Sequence, residues 1–292
     1  MANFVFLKKL NPSTMQWMIC AKVFRSWKVK NCSNDVSKEL ILVDEEGSFG
    51  HATIPAALNG LPSFVMTENQ SYVIEWFEVE EDKEQIHKTN LGYRILFTDK
   101  TIIRLASDPI ICKPFTNFGF KRIYDNEFHG RWPYFNLIGC ITNMGEIKSF
   151  KQEDIGDRWS LMDRYIRFRI MSIEGYVLDC FATGCYANHM FKRFKVGNGK
   201  RICLFKMWKG IKCGDDNVLL TNGDGCSDII EDPKGAEFTE YMYMYNFIEH
   251  GESRIQDLND TNICFVMDLS DTLGSFIHPA AEDSFDKHRI PV

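Results

Sequence analysis

The chain has 292 residues, of which 45% are hydrophobic and 25% are charged, and its formal net charge is −6. This composition is typical of a soluble globular protein, and the length favours two domains over one. No apolar run approaches the ~20 residues of a transmembrane helix, and the apolar start is too short for a secretory signal, so we expect an intracellular protein without membrane association.

Four segments in the first third of the chain are rich in branched and aromatic residues, which is typical of strands: 15–26, 37–44, 71–79 and 92–105. A turn that contains Gly47 follows the segment 37–44, and a further short strand, the third in chain order, is expected near His51–Ile54. Residues 55–64 hold apolar residues that predict one short helix. Five strands with a helix between the third and fourth is the order of an OB fold.

The same order recurs after a predicted loop. Strands are expected at 134–144, 164–171, 176–182, 201–209 and 217–220, and a helix at 187–194 fills the slot between the third and fourth. The turns at 42–47 and 170–175 match each other. The sequence therefore predicts a mainly β protein with OB-fold domains at 1–108 and 134–234, a linker at 109–133, and a C-terminal helix and acidic tail at 235–292.

The tail differs from the rest of the chain in charge. Residues 109–232 carry 18 basic and 15 acidic residues, whereas residues 233–292 carry 4 and 11. Phe238, Tyr241 and Tyr245 have the spacing of one helix face, which is expected to pack on the second domain or on a partner. An acidic tail competes with DNA for a basic groove, recruits a protein partner, or is only a solvated segment.

Motifs for catalysis and for metal binding are missing from the sequence. The ten cysteines include no CxxC pair, the histidines are dispersed, and there is no Gly-rich phosphate loop, HExxH or GxSxG. We therefore expect a protein that is not an enzyme and that uses no cofactor or metal ion.

Several short motifs resemble plant replication protein A large-subunit-like proteins. Residues 17–29 resemble the first strand of that family, 40–54 its second and third, and 92–97 its fifth. Residues 136–145 are similar to the start of its second OB domain, and 228–233 to the exit from that domain. The order and spacing of these motifs across residues 4–250 are more specific than any motif alone.

The resemblance implies a single-stranded DNA-binding protein of the nucleus, acting in DNA replication, repair, recombination or telomere maintenance. RNA remains open as a ligand, and protein partners are expected at the C-terminal helix and acidic tail. The alternative is an OB-fold scaffold subunit of a larger assembly, such as a telomerase, telomere or polymerase complex, with little DNA binding of its own.

OB folds hold single strands on the face of their second and third strands, where cations meet phosphates and flat rings stack on bases. In the first domain the expected contacts are Arg25, Trp27, Lys28 and Lys30, unless Trp27 belongs to the core. Six acids at 75–84 make the hairpin there a poor contact for phosphate.

In the second domain the period of two within 164–171 places one set of side chains on the core side and the other set outside. The outer set would contact nucleic acid, unless its arginines form salt bridges with Glu174 or Asp179. The expected contacts of this domain are Tyr165, Arg167, Arg169, Lys206, Trp208, Lys209 and Lys212.

Two positions depart from the resemblance. Where family members stack bases on an aromatic ring, this chain has Lys38 in the first domain and Ala182 in the second. Phe181, the neighbour of Ala182, is expected to point into the core, because a shift of one residue moves a side chain to the other face.

Overall fold

The computed structural model describes residues 4–30, 33–110, 118–124, 133–149, 164–194, 201–213, 217–223, 225–235 and 238–239. These residues form two compact units, domain one up to residue 110 and domain two from residue 118. Both are built mainly of β-strands, as the sequence predicts.

Domain one is a barrel of the five-stranded type, in which two strands are divided so that seven strand segments result. Its strands are β1 (Met18–Lys30), β2 (Val36–Val43), β3 (Phe49–Ile54), β4 (Ser71–Glu75), β5 (Glu78–Glu81), β6 (Tyr93–Leu96) and β7 (Ile102–Leu105). Neighbouring strands run in the order β5-β6-β3-β2-β1-β4-β7, and β3 pairs with β6 in parallel. Because β4 and β5 follow each other along one bent path, the sheet closes between β1 and β6 in the manner of an OB fold.

Two of the strands predicted for domain one are each divided in the structure. The predicted strand 71–79 breaks at Trp76, which has a φ of 59° and separates β4 from β5. The predicted strand 92–105 breaks at 97–101, between β6 and β7. The next ring along the chain after Trp76, that of Phe77, is fully buried in the core, so the break turns the strand around the end of the barrel.

The helix predicted at 55–64 is wrong for most of its length. Residues 55–61 form turns, and only Pro62–Phe64 makes a single turn of 3-10 helix. Phe64 is nevertheless buried against the core, where its ring lies 6.5 Å from that of Phe97. The segment therefore closes the barrel end with side chains rather than with a regular helix.

Domain two repeats the barrel with greater regularity. Its elements are α1 (Phe118–Tyr124), β8 (Tyr134–Met144), β9 (Lys148–Ser149), β10 (Arg164–Met171), β11 (Val177–Thr183), α2 (Gly184–Phe194), β12 (Arg201–Cys213), β13 (Asn217–Asn222) and β14 (Asp228–Glu231). The pairs β8–β10, β10–β11, β11–β13, β13–β12 and β12–β8 close a circuit. The β11–β13 pair is parallel, like β3–β6 of domain one.

A bulge in β12 corresponds to the break in domain one. The pairing of β12 with β8 shifts between Phe205 and Trp208, and Met207 between them has a φ of 53°. The ring that follows, that of Trp208, is fully buried, as is Phe77 after Trp76. Both domains thus bend their fourth barrel strand with one residue of positive φ before a core aromatic ring.

The two matched turns are structural equivalents. The amide of Gly47 donates to the carbonyl of Asp44 at 3.0 Å, and the amide of Gly175 donates to that of Ser172 at 3.1 Å. Both glycines have positive φ, 79° and 86°, which explains the glycine in each turn. The internal repeat predicted from the sequence is therefore present in the backbone.

The linker predicted at 109–133 is not entirely a loop. The helix α1 lies within it, and its Phe120 and Ile123 are buried in the core of domain two. At the other end, residues 238–239 are helical and Phe238 packs with Ile138 and Leu204. The remaining residues of the predicted C-terminal helix and acidic tail lie outside the described residues.

Candidate nucleic-acid interface

The outer face of β10 and β11 occupies the position at which OB folds hold single strands. Along β10 the core residues Ile166, Phe168 and Ile170 are buried. The residues between them, Tyr165, Arg167 and Arg169, are half-buried. The predicted alternation is confirmed, and it places one ring and two guanidinium groups side by side on the outer face.

Phe181 also lies on this outer face, so the expectation that it points into the core is wrong. In the antiparallel pair of β10 and β11 it stands directly opposite Arg167, whereas Ala182 stands opposite the core residue Ile166. Its ring lies 5.4 Å from that of Tyr165 and is only 4% exposed. The outer face of β11 therefore carries an aromatic ring at Phe181, one position before Ala182.

The far end of the outer face carries an ion pair. Arg169 Nε donates to Asp179 Oδ1 at 2.7 Å, and the two residues are directly opposed in the strand register. Burial lowers the pKa of the neighbouring Arg167 guanidinium, although the charges of Tyr165 and Asp179 oppose that effect. Arg167 remains a cation at neutral pH because an arginine side chain does not lose its proton there.

Trp208 is not part of this surface. It is fully buried in the core of domain two, its ring lies 5.7 Å from that of Phe168, and its Nε1 donates to the carbonyl of Asp228. The bulge at Met207 shifts the alternation of β12 by one residue, which moves Trp208 to the core side. The prediction that Trp208 contacts nucleic acid is therefore wrong.

The three predicted lysines of β12 differ in exposure. Lys206 and Lys209 are buried, while Lys212 is exposed at the end of β12, next to the connection to β13. Of the three, Lys212 is therefore the one that presents its charge to solvent at the loop between the fourth and fifth barrel strands.

In domain one, two of the four predicted contact residues are buried against other side chains of the same domain. Arg25 is buried and its Nη1 lies 2.6 Å from Glu68 Oε1. Trp27 is 7% exposed and stacks on His51, with ring centroids 5.9 Å apart and planes within 11°. The interpretation of Trp27 as an exposed platform is wrong, and the exposed Lys28 and half-buried Lys30 remain at the end of β1.

A buried carboxylate occupies the centre of the outer face of domain one. Glu39 accepts hydrogen bonds from Thr53 Oγ1 at 2.6 Å and Ser37 Oγ at 3.2 Å, and its Oε2 lies 2.9 Å from His51 Nε2. Burial raises the pKa of this carboxyl group, but the hydrogen bonds outweigh burial and hold it below its usual value. The site thus keeps a negative charge where a phosphate-binding face would carry a positive one.

The acidic side chains of the hairpin at 75–84 form ion pairs with basic side chains of the same domain. Arg94 Nε lies 2.6 Å from Glu80 Oε1, Arg104 pairs with Glu75, and Lys88 lies 3.5 Å from Glu84. Lys38, at the position where the resemblance implies a ring, donates to the carbonyl of Met66 at 2.6 Å. The prediction that this hairpin is a poor phosphate contact agrees with these pairs.

Two features are absent from the described part of the chain. It contains no group of three or more His, Cys, Asp or Glu side chains arranged to hold a metal ion. It also contains no helix with the length and apolar character needed to cross a membrane.

Residues 8–126 match the family model described as "Domain of unknown function DUF223", which is associated with the OB fold. The comparison with curated protein sequences found no significant match.

Among solved structures, a replication protein A heterotrimer bound to single-stranded DNA is similar with a TM-score of 0.56 and 18% identity. The match covers 86% of this chain and 56% of that chain, so the protein spans just over half the length of that relative. It supports an OB-fold architecture.

Two further solved structures match with lower TM-scores. DNA-binding domain A of S. cerevisiae replication protein A matches with 17% identity and a TM-score of 0.31, over 36% of this chain and 95% of that one. Fission yeast Pot1 with single-stranded DNA matches with 9% identity and a TM-score of 0.33, over 84% of this chain and 93% of that one.

Proposed function

We propose that the protein binds single-stranded nucleic acid on the outer face of β10 and β11. The observation that carries this proposal is the grouping of Tyr165, Phe181, Arg167 and Arg169 on that face. OB folds bind single strands at this position, and the similarity of the fold to replication protein A agrees with it.

The chemistry of these groups suits a single strand. The half-buried ring of Tyr165 offers a surface for base stacking, which contributes ~1–3 kcal/mol per base, and Phe181 supports that ring from the neighbouring strand. Arg167 pairs with phosphate and also stacks on a base. The exposed Lys212 adds a positive charge at the adjacent loop.

The expected ligand is DNA, and the expected role is that of a replication protein A large-subunit-type protein of the nucleus. That role covers replication, repair, recombination or telomere maintenance, and it rests on the sequence motifs together with the similarity of the fold. RNA is the other ligand of the same chemical class, and a protein partner is expected at the C-terminal tail.

Fluorescence anisotropy with a labelled strand of thirty thymidines tests the proposal. We expect sub-micromolar binding at low salt that weakens as salt rises, because phosphate contacts release counterions. Arg167→Ala/Arg169→Ala should weaken binding at least tenfold.

The matched control is Lys192→Ala/Arg193→Ala, which removes the same charge from exposed positions of α2 in the same domain. It should change the affinity less than threefold. Equal losses in both variants, or no binding by the unaltered chain at low salt, would contradict the proposal.

The internal ion pairs of domain one favour a second candidate, a scaffold in which that domain contacts protein. Arg25, His51 and Arg94 each pair with a carboxylate of the same domain, and Glu39 is central to its outer face. A chain that fails to bind any single strand, yet copurifies with a stable protein complex, would identify the scaffold function.

A further inference from the structure

Asp179 places a carboxylate at the far end of a surface that is proposed to bind an anion. Its side chain is 37% exposed, and within the described residues only its Oδ1 is hydrogen-bonded, to Arg169. A carboxylate repels phosphate, so a face that served only the backbone of a nucleic acid would be better without it.

The position of Asp179 relative to the rings gives the carboxylate a different use. It lies two residues from Phe181 along β11, about 7 Å at the rise of a β-strand. Side chains two apart on a strand point to the same face, and Arg167, which also stacks on bases, stands opposite Phe181. A base stacked on Arg167 would therefore bring its edge within reach of the Asp179 carboxylate.

Asp179 presents two acceptor oxygens, and the bond from Arg169 fixes their orientation. A carboxylate accepts two hydrogen bonds and a guanidinium group donates them. Guanine is the DNA base whose Watson–Crick edge carries two adjacent donors, N1–H and the 2-amino group, beside an acceptor, O6. Cytosine and adenine each offer one donor on that edge next to a ring acceptor, and thymine offers one donor between two acceptors.

We propose that Asp179 and Arg169 select guanine at one position of the bound single strand. The inference rests on the proposed function, because it assigns a base preference to the same face. Asp179 accepts from N1–H and the 2-amino group, while Arg169 Nε keeps its bond to Asp179 Oδ1 and holds the carboxylate in place.

The test is anisotropy with the full chain and labelled 20-mers that repeat TTTG, TTTA, TTTC or TTTT. We expect the TTTG strand to bind about tenfold more tightly than the other three, which is within the range for a good bidentate contact. Replacing each guanine by inosine removes only the 2-amino group and should reduce the preference by at least threefold.

The variant Asp179→Asn separates base recognition from repulsion. It should weaken binding to the TTTG strand at least fivefold while leaving binding to the TTTT strand unchanged or tighter. Glu174→Gln is the control, because it removes the same charge from an exposed position in the β10–β11 turn and should affect all strands equally.

The outcomes distinguish the inference from the function on which it rests. Tight but equal binding of all four strands overturns the guanine preference and leaves strand binding intact. Equal tightening of all strands by Asp179→Asn also overturns it, since the carboxylate would then only repel phosphate. If no strand binds, both proposals fail together.

Discussion

At the level of single residues, Glu39 shows how domain one stabilises a buried charge. Its carboxylate is held by Thr53, Ser37 and His51, and its pKa lies below the usual value. A carboxyl group whose pKa is lower in the folded than in the unfolded chain, where it is about 4.3, adds stability above that value. That contribution is lost as the pH falls through the folded pKa.

We therefore expect the stability of domain one to decrease below about pH 4.3, in part because Glu39 becomes protonated. In Glu39→Gln the decrease should be shallower, while stability at pH 7 should be lower than in the unaltered chain. Urea unfolding followed by tryptophan fluorescence between pH 3 and pH 7 measures both effects. Parallel pH profiles for the two proteins would show that the Glu39 network contributes nothing.

The outer residues of β10 show what the sequence reveals about individual side chains. The period of two in 164–171 predicts correctly that Tyr165, Arg167 and Arg169 share a face. The faces of β11 are harder to predict, because Phe181 and Ala182 are adjacent. An error of one residue in the register exchanges which of the two side chains is predicted to face the core. The pair of Arg25 and Glu68 joins residues 43 apart, and nothing in the local sequence indicates it.

At the level of elements, the packing of α1 on β8 depends on a glycine. A methyl group on Gly139 would lie 2.8 Å from Cζ of Phe120 and 3.4 Å from Cβ of Ile170. Phe120 is fully buried, so its ring has little space into which it can move. The helix therefore approaches the strand at a point where a side chain is missing.

We expect Gly139→Ala to lower the free energy of unfolding of domain two by about 1–3 kcal/mol, because the added methyl group overpacks the contact with Phe120. In a Phe120→Leu background the same change should cost clearly less, since the shorter side chain leaves room. Urea denaturation of the four proteins gives the coupling energy. Strict additivity would mean that the two residues do not meet.

The elements also show why some predictions from sequence failed. Branched and aromatic residues mark the strand regions in the sequence, but no residue pattern marks the bends at Trp76 and Met207. After the bend in β12 every side chain changes face, so the sequence alone places Trp208 on the wrong side of the sheet. The sequence does not predict α1, because its buried Phe120 and Ile123 belong to a short segment within a stretch that resembles a loop.

At the level of the whole molecule, the two barrels share an architecture and differ in the chemistry of their outer faces. Domain one has Glu39 at the centre of that face and arginines paired with glutamates. Domain two has two rings, two guanidinium groups and an exposed lysine at the loop. We therefore expect strand binding chiefly in domain two, whereas the sequence predicts contacts in both domains.

Photocrosslinking tests this assignment most directly. A thymidine strand carrying 5-iodouracil is bound to the full chain, irradiated and digested, and the crosslinked peptides are identified by mass spectrometry. We expect crosslinks in peptides that contain Tyr165 or Phe181, and their loss in Tyr165→Ala/Phe181→Ala. Crosslinks confined to the peptides of β1 to β3, around Trp27 and His51, would contradict it and would move the binding face to domain one.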